Sequence, residues 1–218
     1  MDMNDELKKI TRHGTTTVGM VCSDGIVLAA DKRVTLGGMF VAHKKFDKVI
    51  KVTDNLALTV AGSVSEAQLV VRLLQAELKL KSMRTGTVSN INEAVNLLGT
   101  IVYQNIRKFS PIVAITGFVV GGVDDRGFHL YEVGPDGSIM KHDDFIADGS
   151  GMMMAFGVFE TLYKKDMKVS EGVALAVKAV NSSIQRDTAS GEGVDVFTIT
   201  KAGVQKVFHK QIERKLEM

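Results

Sequence analysis

The sequence has few cysteines, few prolines and no long apolar run, and each scarcity excludes a class of protein. The 218 residues include one cysteine, Cys22, so no internal disulfide can form, and its alternating surroundings suit a packed hydrophobe. Two prolines and no low-complexity tract leave no candidate linker, which favours one domain. No apolar run approaches the roughly 18 to 20 residues of a membrane-spanning helix. We therefore expect a single globular domain without a membrane partner.

Charge and histidine placement exclude further classes. The 27 basic and 25 acidic residues leave a formal net charge of +2, which provides no field that would attract nucleic acid. The five histidines are scattered without the spacing of metal ligands, and the chain has no P-loop. The opening MDMNDELKKITRHG lacks the apolar stretch of a secretory signal. We expect a cytoplasmic protein with no metal and no cofactor, whose chemistry comes from side-chain and backbone groups.

The β-rich runs predict antiparallel strands in two sets and a final hairpin. The first four runs, separated by short turn signals, are expected to form one set: TTTVGMVC, GIVLAADKR, KVIKV and LALTVAG. The next three, joined at DDRG and GPDG, are expected to form a second: IVAITGFVVGGVDD, GFHLYEVG and SIMKHDDFIADG. The final hairpin, expected before a short C-terminal helix, is formed by GVDVFTITKAG and VQKVFHK.

Four segments have the apolar spacing of amphipathic helices. The first begins at Ser63, and the second begins at Asn90, where Glu93 three residues later predicts a capping box. Two adjacent helices are predicted further on, in GMMMAFGVFETLYKK and SEGVALAVKAVNSSIQRD. Helix pairs that cover antiparallel sheets are typical of the α+β class. The sequence therefore predicts a four-layer αββα sandwich of two antiparallel sheets covered by helix pairs.

Three consecutive threonines, Thr15 to Thr17, follow Gly14 near the start of the chain. Such a run commonly indicates no more than a β-strand, because a branched Cβ suits a pleated backbone. The chemical alternative is cleavage after Gly14, which would leave a hydroxyl and a free α-amino group on one residue. An α-amino group has a pKa of about 7.7 to 8.0, which suits a general base at neutral pH. The triplet alone leaves both interpretations open.

Five motifs along the chain resemble those of a known family. In order they are RHGTTTVGM, AADKRVT, AGSVSEAQ, DGSG and QRDTASGEGVDV. Together they are similar to catalytic β-subunits of the proteasome core particle, of the archaeal type, within the N-terminal nucleophile hydrolases. The resemblance runs from Gly14 to about Thr200. It implies the αββα fold and a threonine endopeptidase activated by self-cleavage between Gly14 and Thr15, with residues 1–14 as a removable propeptide and 15–218 as one catalytic domain.

The resemblance also implies roles for individual residues. Thr15 is the expected nucleophile, Asp31 and Lys48 the charged pair beside it, and Gly62 the backbone oxyanion donor. The full catalytic set implied by the resemblance is Thr15, Asp31, Lys48, Gly62, Ser150, Asp187 and Ser190. The choice of Lys48 requires one extra residue in the loop TLGGMF, absorbed at Gly37 and Gly38, and Lys45 is the alternative.

Substrate contacts and partners follow from the same resemblance. The side-chain pocket is expected to be apolar, formed by Val34, Ile50, Val60 and Val64, with the backbone of Thr35 pairing an extended substrate. This predicts cleavage after hydrophobic residues. The implied partners are other β-subunits in a seven-membered ring, flanking α-subunit rings, polypeptide substrates and, indirectly, an ATP-dependent unfoldase.

Three alternatives remain beside the endopeptidase. A non-catalytic ring subunit would lack the threonine, the acid or the lysine, all of which this chain has. A related, simpler protease pairs with a different ATPase, and its C-terminal motif differs from the QRDTASGEGVDV of this chain. A serine hydrolase built on DGSG would need the strained GxSxG turn, which is absent from the sequence.

Overall fold

The computed structural model describes residues 14–37, 40–110 and 115–212. Within these ranges the chain forms four helices and twelve strands. The helices are α1 (Val64–Thr85), α2 (Ile91–Ile106), α3 (Met152–Leu162) and α4 (Val169–Arg186). The strands are β1 (Thr17–Cys22), β2 (Gly25–Asp31), β3 (Val34–Leu36), β4 (Phe40–His43), β5 (Val49–Lys51), β6 (Leu56–Gly62), β7 (Thr116–Asp124), β8 (Gly127–Val133), β9 (Ile139–His142), β10 (Phe145–Asp148), β11 (Gly193–Thr200) and β12 (Gly203–Gln211).

Two antiparallel five-stranded sheets form the centre of the molecule, which confirms the α+β sandwich. One sheet has the order β10-β1-β2-β11-β12, and the other has the order β5-β6-β7-β8-β9. The alternation along β2 shows why two layers form, since a strand turns successive side chains to opposite faces. Val27 and Ala29 face the core beneath α3 and α4, whereas Ile26 and Leu28 face the core between the sheets.

The helix pairs cover the two outer faces of these sheets. Residues of α1 and α2 pack on β5 to β8, and residues of α3 and α4 pack on β1, β2 and β11. Asn90 accepts a hydrogen bond from the Glu93 amide and donates its own amide to the Glu93 side chain, so the predicted capping box is confirmed. Gly86, which ends α1, adopts φ +69°, a left-handed conformation that favours glycine. No helix among the described residues is long and apolar enough to cross a bilayer.

The predicted grouping of the strands is wrong in two places. The first four predicted strands do not form one set, because β1 and β2 belong to one sheet and β5 and β6 belong to the other. SIMKHDDFIADG is not one strand but two, β9 and β10, which also lie in different sheets. Local β propensity indicates which residues are extended, but the pairing depends on which faces are buried, a long-range property.

Several expectations concern connections and termini. The hairpin of β3 and β4 was not predicted, and it occupies the loop region in which Gly37 and Gly38 were expected. Gly37 has φ +62°, while Gly38, the residues before Gly14 and the predicted C-terminal helix after residue 212 lie outside the described residues.

Cys22 is buried, and burial raises the pKa of its thiol to about 12, in keeping with a packing role.

Two neighbouring leucines on α1 test this account of the helix layer. Leu74 is 1% exposed in the core, whereas Leu73 is 41% exposed. We expect Leu74→Ala to lower the free energy of unfolding by about 2 to 5 kcal/mol through lost transfer energy and the cavity left behind. Leu73→Ala makes the same change in helix propensity at the surface and should cost about 0.5 kcal/mol or less. Urea unfolding of the isolated chain measures both, and equal losses would contradict the orientation of α1.

Candidate active site

Thr15 lies at the entrance to β1 with its hydroxyl held between two groups. The side chain is buried, with the residue 4% exposed. Its Oγ1 accepts a hydrogen bond from Lys48 Nζ at 2.9 Å and donates one to the carbonyl oxygen of Gly14 at 2.6 Å. The hydroxyl therefore contacts both a cationic group and the carbonyl of the preceding residue.

Lys48 and Asp31 form a buried ion pair behind this hydroxyl. Lys48 Nζ lies 2.6 Å from Asp31 Oδ1, and both side chains are almost fully buried. Burial lowers the pKa of Lys48, and the charge and hydrogen bond of Asp31 oppose that shift. Lys45, the alternative from the sequence, is exposed. The structure thus places Lys48, and not Lys45, against Thr15.

Asp31 is fixed by backbone donors as well as by Lys48. It is the last residue of β2, which pairs with β1, and this pairing brings it beside the threonines. Its Oδ1 accepts the amide of Thr16 at 2.9 Å, and its Oδ2 accepts the amides of Arg33 at 3.0 Å and Gly191 at 2.9 Å. Four donors, including Lys48, therefore surround one carboxylate.

A polar chain connects the backbone nitrogen of Thr15 to the end of α4. The Thr15 nitrogen donates to Ser150 Oγ at 3.1 Å, and Ser150 Oγ donates to Asp187 Oδ2 at 2.6 Å. Ser190 Oγ also donates to Asp187 Oδ2 at 2.6 Å and lies 2.7 Å from the Thr16 hydroxyl oxygen. Residues 150, 187 and 190 come from the end of β10, the end of α4 and the following loop. The fold thus joins these three predicted residues in one hydrogen-bonded chain, in which Ser150 contacts the Thr15 nitrogen.

Gly14 fits a space that admits no side chain. A Cβ built on it would lie 1.7 Å from Ala189 Cβ and 3.1 Å from Ser150 Oγ. Its backbone nitrogen donates to Thr35 Oγ1 at 3.1 Å. The residue before the threonine is thus held closely over the hydroxyl, which a larger residue would prevent.

Gly62 lies beside the same site, at the junction of β6 and α1. It is the last residue of β6, and Ser63 is the N-cap of α1, so Gly62 precedes the helix. Its φ is +106°, and a Cβ would lie 2.1 Å from the carbonyl oxygen of Ile115. Glycine is therefore required by the backbone path. A side chain at this position would disturb the fold as well as any bond made by the amide.

A small cavity opens next to Thr15 and Lys48. Three predicted residues line it: Val34, Val60 and Val64. Ile50 does not line it and instead packs against the core beneath α1 and α2. Phe46 does line the cavity and was missed, although it lies two residues before Lys48 in the sequence. The cavity wall is therefore mainly apolar and gains an aromatic ring.

Arg33 forms another part of the cavity wall. Its guanidinium donates to Glu192 Oε1 at 2.9 Å and to the carbonyl oxygen of Thr188 at 2.7 Å. Glu192 adopts φ +66°, which is uncommon for a residue with a side chain. These contacts join the turn after β2 to the loop that follows Asp187. Within residues 14–37, 40–110 and 115–212, no group of three or more His, Cys, Asp or Glu side chains could hold a metal ion.

Comparison with known proteins supplies the family. The model of the family described as "Proteasome subunit" matches residues 11–199. Several relatives named "Proteasome subunit beta" are similar over nearly their full length. That of Ferroglobus placidus is 40% identical over 204 residues, 94% of this chain and 95% of the relative.

Two further relatives show the same extent of similarity. The protein of Methanocaldococcus fervens is 43% identical over 204 residues, 93% of this chain and 89% of the relative. That of Methanothermobacter thermautotrophicus is 38% identical over 216 residues, 99% of each chain. The family match covers most of the chain, and these relatives are archaeal β-subunits. The chain therefore belongs to the proteasome family, as a β-subunit of the archaeal type.

Proposed function

We propose that this β-subunit is a threonine endopeptidase whose nucleophile is Thr15. The observation that carries the proposal is the contact of the Thr15 hydroxyl with Lys48 Nζ at 2.9 Å, backed by Asp31 at 2.6 Å. A non-catalytic ring subunit is the alternative. Such a subunit would have no need of a buried ion pair beside a hydroxyl, because removing two charges from water is costly even when they are paired. The combination of threonine, acid and lysine in contact favours catalysis.

Activation is proposed to begin with attack of Thr15 Oγ on the Gly14 carbonyl carbon. A C–O bond forms, the C–N bond breaks, and the hydroxyl proton passes to the departing nitrogen, which becomes the free α-amine of Thr15. Water then hydrolyses the resulting ester, which releases Gly14 as a carboxylate and restores the hydroxyl. Ser150, which contacts this nitrogen at 3.1 Å, is placed to relay the proton. The removable propeptide is residues 1–14, and the mature subunit is residues 15–218.

In turnover, the freed α-amine is the general base for the hydroxyl of the same residue. It takes the hydroxyl proton as Oγ attacks a substrate carbonyl, and the proton then passes to the leaving amine. The Lys48 cation lowers the pKa of the neighbouring hydroxyl and amine. Asp187 and Ser190 orient the amine through Ser150, and water hydrolyses the acyl ester. The Gly62 amide is the proposed oxyanion donor, a role worth about 2.7 to 4 kcal/mol in other enzymes.

Substrates are proposed to be unfolded polypeptides cleaved after hydrophobic residues. The cavity beside Thr15 is lined by valines and Phe46 and would accept an apolar side chain. The backbone of Thr35 would pair with an extended substrate. We further propose assembly into a seven-membered β-ring flanked by α-rings, with Thr15 facing an enclosed chamber in the cytoplasm. Folded proteins would first have to be unfolded by an ATP-dependent unfoldase before they could enter a closed chamber.

Intact mass tests the nucleophile and the processing step together. In particles assembled with the α-subunit, the wild-type chain is expected to lose residues 1–14, and Thr15→Ala should retain them because no hydroxyl is available. Thr15→Ser keeps the hydroxyl and is the matched control, which should still be cleaved. Removal of the leader from Thr15→Ala would show that another group or enzyme makes the cut.

Replacement of the ion pair tests the electrostatic part of the proposal. Lys48→Ala and Asp31→Ala should each lower the peptide hydrolysis rate by about 100-fold or more, the scale of a lost acid–base component. Lys45→Ala changes an exposed lysine three residues away and should leave the rate unchanged. The rates are measured on assembled particles of equal subunit content. A near-normal rate from Lys48→Ala would reject its assignment.

A fluorogenic peptide panel tests the cavity. Peptides with Leu, Phe or Tyr before the cleaved bond should have kcat/KM values at least about tenfold above those with Arg or Glu, because a charged group would lose its hydration in an apolar cavity. The panel is read on processed, assembled particles. Preferential cleavage after Arg or Lys would overturn the pocket assignment while leaving the nucleophile in place.

A further inference from the structure

Lys32 is a buried cation that the proposed chemistry does not use. It follows Asp31 at the end of β2, and the residue is only 2% exposed. Its Nζ lies 2.6 Å from Asp195 Oδ2 on β11 and 2.6 Å from Asp47 Oδ1. Asp195 is buried, whereas the Asp47 side chain is 65% exposed. One ammonium group thus joins the core of a sheet to a surface segment.

The backbone of Lys32 connects the same two regions. Its nitrogen donates to the carbonyl oxygen of Gly191 at 3.0 Å, and its carbonyl oxygen accepts the amide of Phe46 at 3.2 Å. Gly191 lies in the loop after Ser190, and Phe46 lies two residues before Lys48. Lys32 therefore contacts both segments that bring side chains to Thr15, although its own side chain does not touch the threonine.

The position of the segment before Lys48 depends on its contacts with Lys32. Residues 44–48 form neither helix nor strand, and Lys44, Lys45 and Asp47 are exposed. The Lys48 carbonyl oxygen accepts the Val60 amide at 2.9 Å, which fixes this residue towards β6, while the Asp47 ion pair and the bond from the Phe46 amide fix the chain on its other side. The ion pair of Asp47 with the buried Lys32 ammonium ties this segment to β2 and β11 immediately before the catalytic lysine.

The charges of this network are stable at neutral pH. Burial opposes the charge of Lys32, but its hydrogen bonds to Asp195 and Asp47 raise its pKa above the ordinary value. Burial likewise opposes the charge of Asp195, yet bonds from Lys32, His209 and Lys206 lower its pKa to about 2. Lys32 and Asp195 therefore both carry their charges at neutral pH.

We propose that Lys32 is a positioning residue that holds the Lys48 ammonium at the Thr15 hydroxyl through Asp47. The inference rests on the proposed function, since it concerns the same nucleophile. A purely structural ion pair would account for the contact with Asp195 but not for the link to an exposed carboxylate, because exposed pairs contribute little to stability. The contact between Lys32 and Asp47 instead determines the position of Lys48.

Loss of the ion pair between Lys32 and Asp47 should change the chemical step more than substrate binding. The charged groups that face Lys48 are Asp31, Asp187 and Arg33, and none of them would be altered. A Lys48 ammonium that spends less time at Thr15 lowers the pKa of the α-amine less, so the acidic limb of kcat should move to higher pH. Phe46 keeps its backbone bond to Lys32 and the cavity valines lie on other segments, so KM should change little.

Four variants in assembled, processed particles test the inference. Lys32→Met removes the charge with similar bulk and should lower kcat by about 10-fold to 100-fold, the scale of a misplaced catalytic group, with KM within about twofold. Its acidic limb should shift upwards, and Lys32→Arg should restore most of kcat. Asp47→Ala should show the same direction. Asp54→Ala, which removes an exposed carboxylate paired with Lys51, is the matched control and should behave as wild type.

Wild type and Lys48→Ala are measured first in the same assay. An inactive wild type would remove the proposed function itself, and an active Lys48→Ala would remove the assignment of Lys48 on which this inference rests. If those two behave as proposed but Lys32→Met and Asp47→Ala keep the wild-type kcat and pH profile, the positioning role is wrong and the endopeptidase stands. If Lys32→Met fails to assemble, Asp47→Ala decides the question, because an exposed carboxylate can be replaced without loss of the core.

Discussion

A buried lysine paired with a buried aspartate beside a threonine hydroxyl is the interaction on which the rest of this structure depends. The pair of Lys48 and Asp31 is stable only because donors surround the carboxylate, since an isolated buried charge would cost several kcal/mol. Its partner donors come from the start of β1, the turn after β2 and the loop before β11. The three segments are thus held together by the same charges that would activate the threonine.

The two-sheet architecture places these segments next to one another. Asp31 ends a central strand of one sheet, and Lys48 immediately precedes the edge strand β5 of the other. The threonine therefore lies where the two sheets meet, with the apolar cavity on one side and the polar chain through Ser150 on the other. Lys32 adds a third link across this junction. The site therefore depends on how the two sheets bring these segments together, more than on any single side chain.

Parts of the fold and site were predictable because their signals are local. The capping box at Asn90, the four helices and each separate motif of the resemblance depend on residues close in sequence. The strand partners were not predictable in this way, since β9 and β10 are adjacent in sequence but pair in different sheets. The cavity shows the same limit: Ile50 has the expected apolar character yet packs elsewhere, whereas Phe46 lines the wall.

The helices, the turns and a short set of candidate residues follow from the sequence alone, because periodicity, capping and motif order are local properties of the chain. The sequence favoured Lys48 over Lys45 only through an alignment that needs one extra residue in the preceding loop. Only the tertiary structure decided between them, by burying Lys48 against Asp31 and leaving Lys45 in solvent. Burial and charge pairing are properties of the packed molecule, and they arise between residues that are distant in sequence.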